Sequence, residues 1–407
     1  MAATDQLAVR RLHSATKARL GGLLLFLLYC SFSSAAVLPE DRLDVLYHSY
    51  DGGGAKIHGP SVLVRKSAGN SFSVSANLYL DLVTSATIDV LAVGASEYEE
   101  ERTEYSLGVD YLNNKTIMSL SYSNSSENDY EAETFAFGVS QDFFGDLTNV
   151  SLGITFGNDD VFINQGTDDD PDPLFLGEAT HRRFNLGISQ IISKNFLLAT
   201  TFESVIDEGF LENPYRVNRF LASAVSTVDQ SENYPDTRNS DAVALRGIYF
   251  LPFRASVRAE LRTFSDSWGI QAKSGELRYV HPIEQWGLTL EGKFRAYSQS
   301  QADFYADLYF SQNLRDNATG ELIEFRGRDK ELSEFSTNTF GFGITYDLGG
   351  DYFSFIDRST LNFYIDHVQF DYANFRDRTL GDSSNIGSEP LYNFNANIIR
   401  FFYSAWF

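Results

Sequence analysis

Apolar and polar side chains alternate at every second position in one segment after another of this chain, from about residue 43 to its end. Ala255, Val257, Ala259, Leu261 and Thr263 fall on one face of an extended segment; Ser256, Arg258, Glu260 and Arg262 fall on the other. Further on, Trp286, Leu288, Leu290, Gly292, Phe294 and Ala296 oppose Thr289, Glu291, Lys293 and Arg295. Elsewhere Tyr105-Leu107-Val109-Tyr111, Phe135-Phe137-Val139, Val150-Leu152-Ile154-Phe156 and Phe340-Phe342-Ile344-Tyr346 face Ser, Thr, Gly or Asn. A period of two belongs to a β-strand with one greasy and one wet face. In water such strands build a sandwich. In hydrocarbon they must close into a barrel, because an open edge leaves backbone groups unpaired.

The start of the chain decides between those two. Arg10, Arg11, Lys17 and Arg19 precede the apolar run Leu20 to Tyr29, and Ser33-Ser34-Ala35-Ala36 supplies small residues. This is the order of a secretory signal peptide, with cleavage expected after Ala35 or Ala36. The apolar run is shorter than the roughly 20 residues a membrane-spanning helix needs. The expected organisation is a signal peptide over 1–36 and a barrel over 37–407. Cys30, the only cysteine, falls in the leader, so neither disulfides nor thiolate metal sites are expected afterwards. Beyond the leader 28 basic and 54 acidic residues remain, a net charge of −26 (28 − 54), which disfavours nucleic acid as a partner. Mean hydropathy is only −0.22, as in barrels, where only alternate residues meet lipid. The 14% aromatic content suits a membrane barrel of the bacterial outer membrane.

Breaks in the alternation predict strands near 43–50, 60–68, 71–80, 102–112, 115–124, 128–142, 146–157, 178–192, 195–206, 240–251, 254–265, 270–281, 285–311, 334–348, 357–370 and 391–407. That makes sixteen, which places both termini in the periplasm. Fourteen is the alternative, since the first two are the weakest. Short turns would face the periplasm and longer loops, near 81–101, 158–177, 206–238, 312–333 and 371–390, the exterior. Phe143, Phe144, Phe253, Trp286, Tyr352, Phe353, Phe355 and Trp406 lie beside the short turns or the C-terminus, where an interfacial aromatic girdle belongs. The final run sets Ile399, Phe401, Tyr403, Ala405 and Phe407 on one face. It resembles the terminal signal read by the barrel-assembly machinery, with Ala405 and Phe402 as departures. An apparent change of face near Ala396 to Ile399 predicts a bulge.

Several stretches resemble the DUF3570 family of predicted bacterial outer-membrane barrels. They are Tyr50 to Gly54, Gly59 to Lys66, Arg102 to Tyr111, Asp207 to Arg216, Ala302 to Tyr305 and Arg328 to Ser333. The resemblance implies a barrel in the outer membrane. It implies no substrate and no functional residue, and a loose association with thiol-redox and flavin-transfer neighbours.

Lipid-facing charges are costly, about 2–4 kcal/mol for Arg or Lys at the midplane. Arg246, Arg258, Glu260, Arg262, Glu276, Arg278, Glu291, Lys293 and Arg295 are therefore expected to line the interior. They could filter solutes or form ion-pair ladders that stiffen or plug the barrel. The segment Asn158 to Asp172, with Asp159, Asp160, Asp168, Asp169, Asp170 and Asp172, is read as an acidic loop whose oxygens could hold calcium, without EF-hand spacing. Glu97, Glu99, Glu100 and Glu101 form a similar cluster. Among His48, His58, His181, His281 and His367 no triad or metal spacing is recognisable, and no cofactor is expected. The leading expectation is a channel for small solutes. The alternatives are a closed barrel scaffolding an envelope complex, perhaps redox-linked, and a lipid-modifying enzyme. Lipid and lipopolysaccharide are the expected surroundings.

Overall fold

Each alternating segment becomes a strand, and the strands close on themselves. In the computed structural model, the described residues are 36–85, 98–166, 172–223, 226–310, 324–349, 355–382 and 384–407. The expected leader (Ala36 apart), Glu97, Asp168 to Asp170, Tyr352 and Phe353 lie outside them.

The strands are β1 (Arg42–Gly52), β2 (Ala55–Ala68), β3 (Phe72–Ser85), β4 (Tyr98–Asn113), β5 (Thr116–Ser126) and β6 (Tyr130–Phe143). Then follow β7 (Thr148–Asn164), β8 (Pro173–Ser193), β9 (Phe196–Gly209), β10 (Val217–Ser223), β11 (Ser226–Ser231) and β12 (Thr237–Phe250). The last are β13 (Ser256–Asp266), β14 (Gln271–Ile283), β15 (Leu288–Gln299), β16 (Phe335–Gly349), β17 (Arg358–Arg376) and β18 (Leu391–Trp406). All except β10 and β11 form one closed antiparallel barrel of sixteen strands. β18 shuts the ring against β1, in register from Arg42↔Trp406 to Gly52↔Ala396. Closure pairs every edge, as a lipid environment requires. Among the described residues no helix is long and apolar enough to cross a membrane; the strands cross it.

Short connections such as 114–115, 194–195 and 284–287 gather at one end, and 210–236, 300–334 and 377–390 at the other. Leu107, Leu120, Leu152, Leu261 and Leu277 are all more than half exposed on the outside. That band suits hydrocarbon, and the chain is an outer-membrane β-barrel. Phe143, Phe144, Phe253, Trp286 and Phe355 are exposed beside the short turns, as a girdle should be.

Four expectations need correction. The first two strands are longer than expected and joined only by Gly53 and Gly54. The predicted strand 285–311 stops at Gln299. Beyond it the backbone bonds to other loops, Ala302 N–H to Leu332 C=O at 2.8 Å and Asp303 N–H to Trp268 C=O at 2.8 Å. Its buried side chains Ala302, Tyr305, Leu308 and Tyr309 no longer keep a period of two. The loop 206–238 contains the hairpin β10–β11. Finally, Ala396 to Ile399 carries no bulge; both ladders run through it unbroken. The side chains keep their faces, and only the surroundings change. At the outer end of β18, Asn393, Asn395 and Asn397 point to water while Tyr392 and Phe394 point inward. A bulge does lie nearby, between Asp371 and Arg376 of β17.

Candidate binding chamber beneath the outer cap

The predicted charges sit on the face opposite the exposed apolar residues, in chains of ion pairs. Glu260 takes Arg246 at 2.6 Å and Arg258 at 2.8 Å, and Arg262 reaches Glu203 of β9 at 2.8 Å. Arg278 pairs with Glu276 at 3.1 Å and Glu291 at 2.9 Å. Asp366 of β17 takes Lys293 at 2.7 Å and Arg400 at 2.8 Å. Lys293 must reach over β16 to do so. A Cβ on Gly341 would stand 2.3 Å from the Asp366 carboxylate and 2.7 Å from the Lys293 side chain, so only glycine leaves the passage open. Arg295 makes no ion pair among the described residues and lies over the Tyr297 ring at 5.6 Å.

Eight places around the ring from β14 stands β4, directly across the barrel. On neighbouring strands the residues alternating with exposed Met118, Leu120, Phe137 and Leu152 are small: Ser119, Ser121, Gly138, Ser151 and Gly153. This wall carries charge too, Arg65 with Asp110 at 3.0 Å and Arg102 with Glu104 at 2.6 Å, but more of its inward residues are small, which makes it the thinner of the two.

Two histidines are held by carboxylates. His48 of β1 reaches Asp81 of β3 at 2.6 Å, across Gly59 of β2, whose Cβ would collide with the Leu80 carbonyl. His181 of β8 bonds Asp207 through Nδ1 at 2.7 Å and Asp159 through Nε2 at 2.9 Å. Both ring nitrogens of His181 are therefore committed to carboxylates. These contacts clamp strands together. His367 faces the side opposite Asp366, as expected of strand neighbours.

The outer loops fold into a cap with its own core. Tyr234, Trp268, Ile270, Ala302, Tyr305, Leu332, Tyr372 and Phe375 are buried together, with Phe335, Phe370, Tyr392 and Phe394 of the barrel wall packed against them. The hairpin β10–β11 seats Phe220 on Tyr309 with ring centroids 5.1 Å apart. It is anchored by the buried ion pair of Arg219 with Glu389, and by Arg378 to Asp229 at 3.0 Å. Arg328 joins Asp307 at 2.8 Å and stacks over Phe375 at 4.5 Å. Glu232 accepts from the Tyr234 hydroxyl and, at 2.5 Å, from the Arg328 backbone N–H. Burial pushes its carboxyl up to about 7 in spite of those bonds. Burial also raises the Asp329 carboxyl, which pairs with Arg216 at 3.1 Å.

Beneath the cap lies a chamber of about 600 Å³, lined from β1 by Tyr50, from β8 and β9 by His181 and Asp207, and from β15 to β18 by Gln299, Phe335, Phe370, Tyr372 and Phe394. Tyr234, Trp268 and Asp329 to Leu332 close it from the cap. A second recess of about 320 Å³ adjoins it, sharing Arg238, Gln299 and Glu331 and lined further by Arg262, Arg295 and Tyr297. Of the nine predicted charges, only Arg262 and Arg295 border these cavities. The chamber itself was missed, because the segments that close it over the strand ends are loops without periodicity. One signal lay in the sequence: four of the stretches that resemble the family meet here. Tyr50 comes from the first, Asp207, Leu211 and Arg216 from the second, Ala302 and Tyr305 from the third, and Asp329 to Leu332 from the fourth.

The acidic loop needs correction too. Asp159 and Asp160 belong to β7 and point to opposite faces, so they cannot share an ion. Asp159 is buried, bonded by Tyr130 and His181. The one close acidic grouping among the described residues is Glu100, Glu127 and Asp129, within 4.8 Å of one another at the outer rim.

A family model described as a protein of unknown function, DUF3570, matches residues 93–356, well over half the chain. The chain belongs to the DUF3570 family. No curated protein matches this DUF3570 chain in sequence. Among solved structures it is similar to a bacterial polysaccharide outer membrane secretin, at 8% identity over 91% of this chain and 100% of that one, TM-score 0.48. It is also similar to CdiB from Acinetobacter baumannii, at 7% identity over 90% of this chain and TM-score 0.47, spanning about 60% of that protein's length. A third is OccK2 (OpdF) of Pseudomonas aeruginosa with glucuronate, at 9% identity over 90% and 98% of the two chains and TM-score 0.40. At such identities and scores the likeness says nothing of what this DUF3570 barrel carries.

Proposed function

We propose that this barrel is a channel for small solutes, controlled at its outer mouth by the folded cap. The observation that carries the reading is the uneven filling of the two walls: chains of paired charges on β12 to β15, and on β2 to β5 across from them fewer charges set among Ser75, Ser106, Gly108, Ser119 and Ser121. Space beside an ordered, charged wall is what a hydrated path needs. The paired charges then act as a fixed field along the path, with neither sign dominant. β18, with Phe407 directly after it, is proposed to be read by the assembly machinery before it closes the ring against β1.

Planar-bilayer recordings test the channel. Wild-type protein should give discrete current steps, and Glu389→Leu should open more often, since removing one partner of a buried pair costs about 3–5 kcal/mol. Silence from both proteins over a broad range of salts would sink the reading. It would leave the second one, a closed barrel scaffolding an envelope complex, which the aromatic core of the cap favours.

A further inference from the structure

The two cavities beneath the cap differ in chemistry, and the difference has a direction. In the outer chamber two of the carboxylates facing the space are matched: Asp207 holds His181 at 2.7 Å, and Asp329 holds Arg216 at 3.1 Å; Glu331, the third, stands at the edge toward the second recess. Much of the remaining lining is aromatic: Tyr50, Tyr234, Trp268, Phe335, Phe370, Tyr372 and Phe394. Phe370 and Phe394 stack with centroids 4.4 Å apart and planes 9° from parallel, and Trp268 stands on the cap side. Rings presented this way offer flat apolar contact to another ring.

The adjoining recess is basic. Arg238, Arg262, Lys273 and Arg295 border it, one from each of β12 to β15. Arg238 holds Asp266 at 2.6 Å and Arg262 holds Glu203 at 2.8 Å. Arg295 holds no carboxylate among the described residues, so its charge is left for a visitor. Tyr297 fixes the floor beneath Arg295, donating its hydroxyl to Gln299 at 2.6 Å. The opposing charge is Glu331, exposed on the cap where the cavities meet, without a cation among the described residues.

We infer that the chamber binds small organic anions carrying a planar ring, the ring on the aromatic shelf and the anionic group at Arg295. A guanidinium fork matches a carboxylate in two parallel hydrogen bonds. Glu331 weakens anion capture and sits where an arriving solute must pass. The inference rests on the channel reading for its biological sense, but the binding itself does not need conduction.

Calorimetric titration of the detergent-purified full chain with benzoate, acetate and benzylammonium tests it. Benzoate should bind about tenfold or more tighter than acetate, which lacks the ring, and than benzylammonium, which reverses the charge. Arg295→Gln should weaken benzoate about tenfold, Arg295→Lys should recover part of that, and Glu331→Gln should tighten it. Retained heat-modifiable gel mobility would show that the variants are folded. Equal binding of the three probes, or Arg295→Gln indistinguishable from wild type, overturns the inference. If Arg295→Gln does not fold, the three probes on wild type still decide. Benzoate selectivity in a barrel that passes no current would retain the site and remove the channel; current steps without benzoate selectivity would do the reverse.

Discussion

Glu232 illustrates how a single side chain couples the cap to pH. It lies between β11 and β12, facing Tyr234, Arg328, Asp329 and Arg216. Its carboxyl sits at about 7, above the usual 4.5, because burial disfavours the charged form. A folded-state value raised above the unfolded one means the cap binds this proton more tightly than the open chain does. The contribution is fully present below about pH 4.5 and is lost as pH rises through 7. Hydrogen exchange of the cap backbone should therefore speed up between pH 5 and pH 8 relative to the barrel strands, and Glu232→Gln should flatten that dependence. A pH response identical in wild type and variant would assign it elsewhere. Nothing in the local sequence marks Glu232, since its burial comes from segments almost a hundred residues away in the chain, Arg328 among them.

The hairpin β10–β11 is a small element whose order depends on neighbours. An isolated two-stranded hairpin is marginal in water, and this one is held by Phe220 and the Arg219–Glu389 pair. Phe220→Ala removes a fully buried ring, a change that costs about 3–5 kcal/mol in a packed core. We expect faster proteolytic cleavage of the outer loops with heat-modifiable mobility unchanged, since the barrel ladder does not run through the hairpin. Loss of the barrel signature along with the cap would show that the two fold as one unit. The strands of the barrel were legible because each exposes one face to a uniform solvent. The upper end of β18 misled because Tyr392 and Phe394 face a protein core there, and Asn393 to Asn397 face water. The alternation was intact and only its meaning was inverted.

For the molecule as a whole, the side of the wall on which a charge falls should matter more than its position along the chain. Leu277 is 54% exposed on the outer face of β14. Leu277→Arg should cost about 2–4 kcal/mol in urea-driven unfolding from lipid vesicles. Ser121→Arg, on the inward face of the thin wall, should leave stability near wild type while narrowing the path and lowering conductance. Equal destabilisation by both would contradict the assignment of faces. Strand number and the alternation of exposed apolar residues along each strand could be read from one dimension, because a period of two against hydrocarbon leaves a strand no other orientation. The chamber could not. Its walls join Tyr50, His181, Trp268, Asp329 and Phe394, which become neighbours only when the ring closes and the long loops fold across its mouth. Such contacts depend on which distant segments meet, and no local pattern of side chains encodes that.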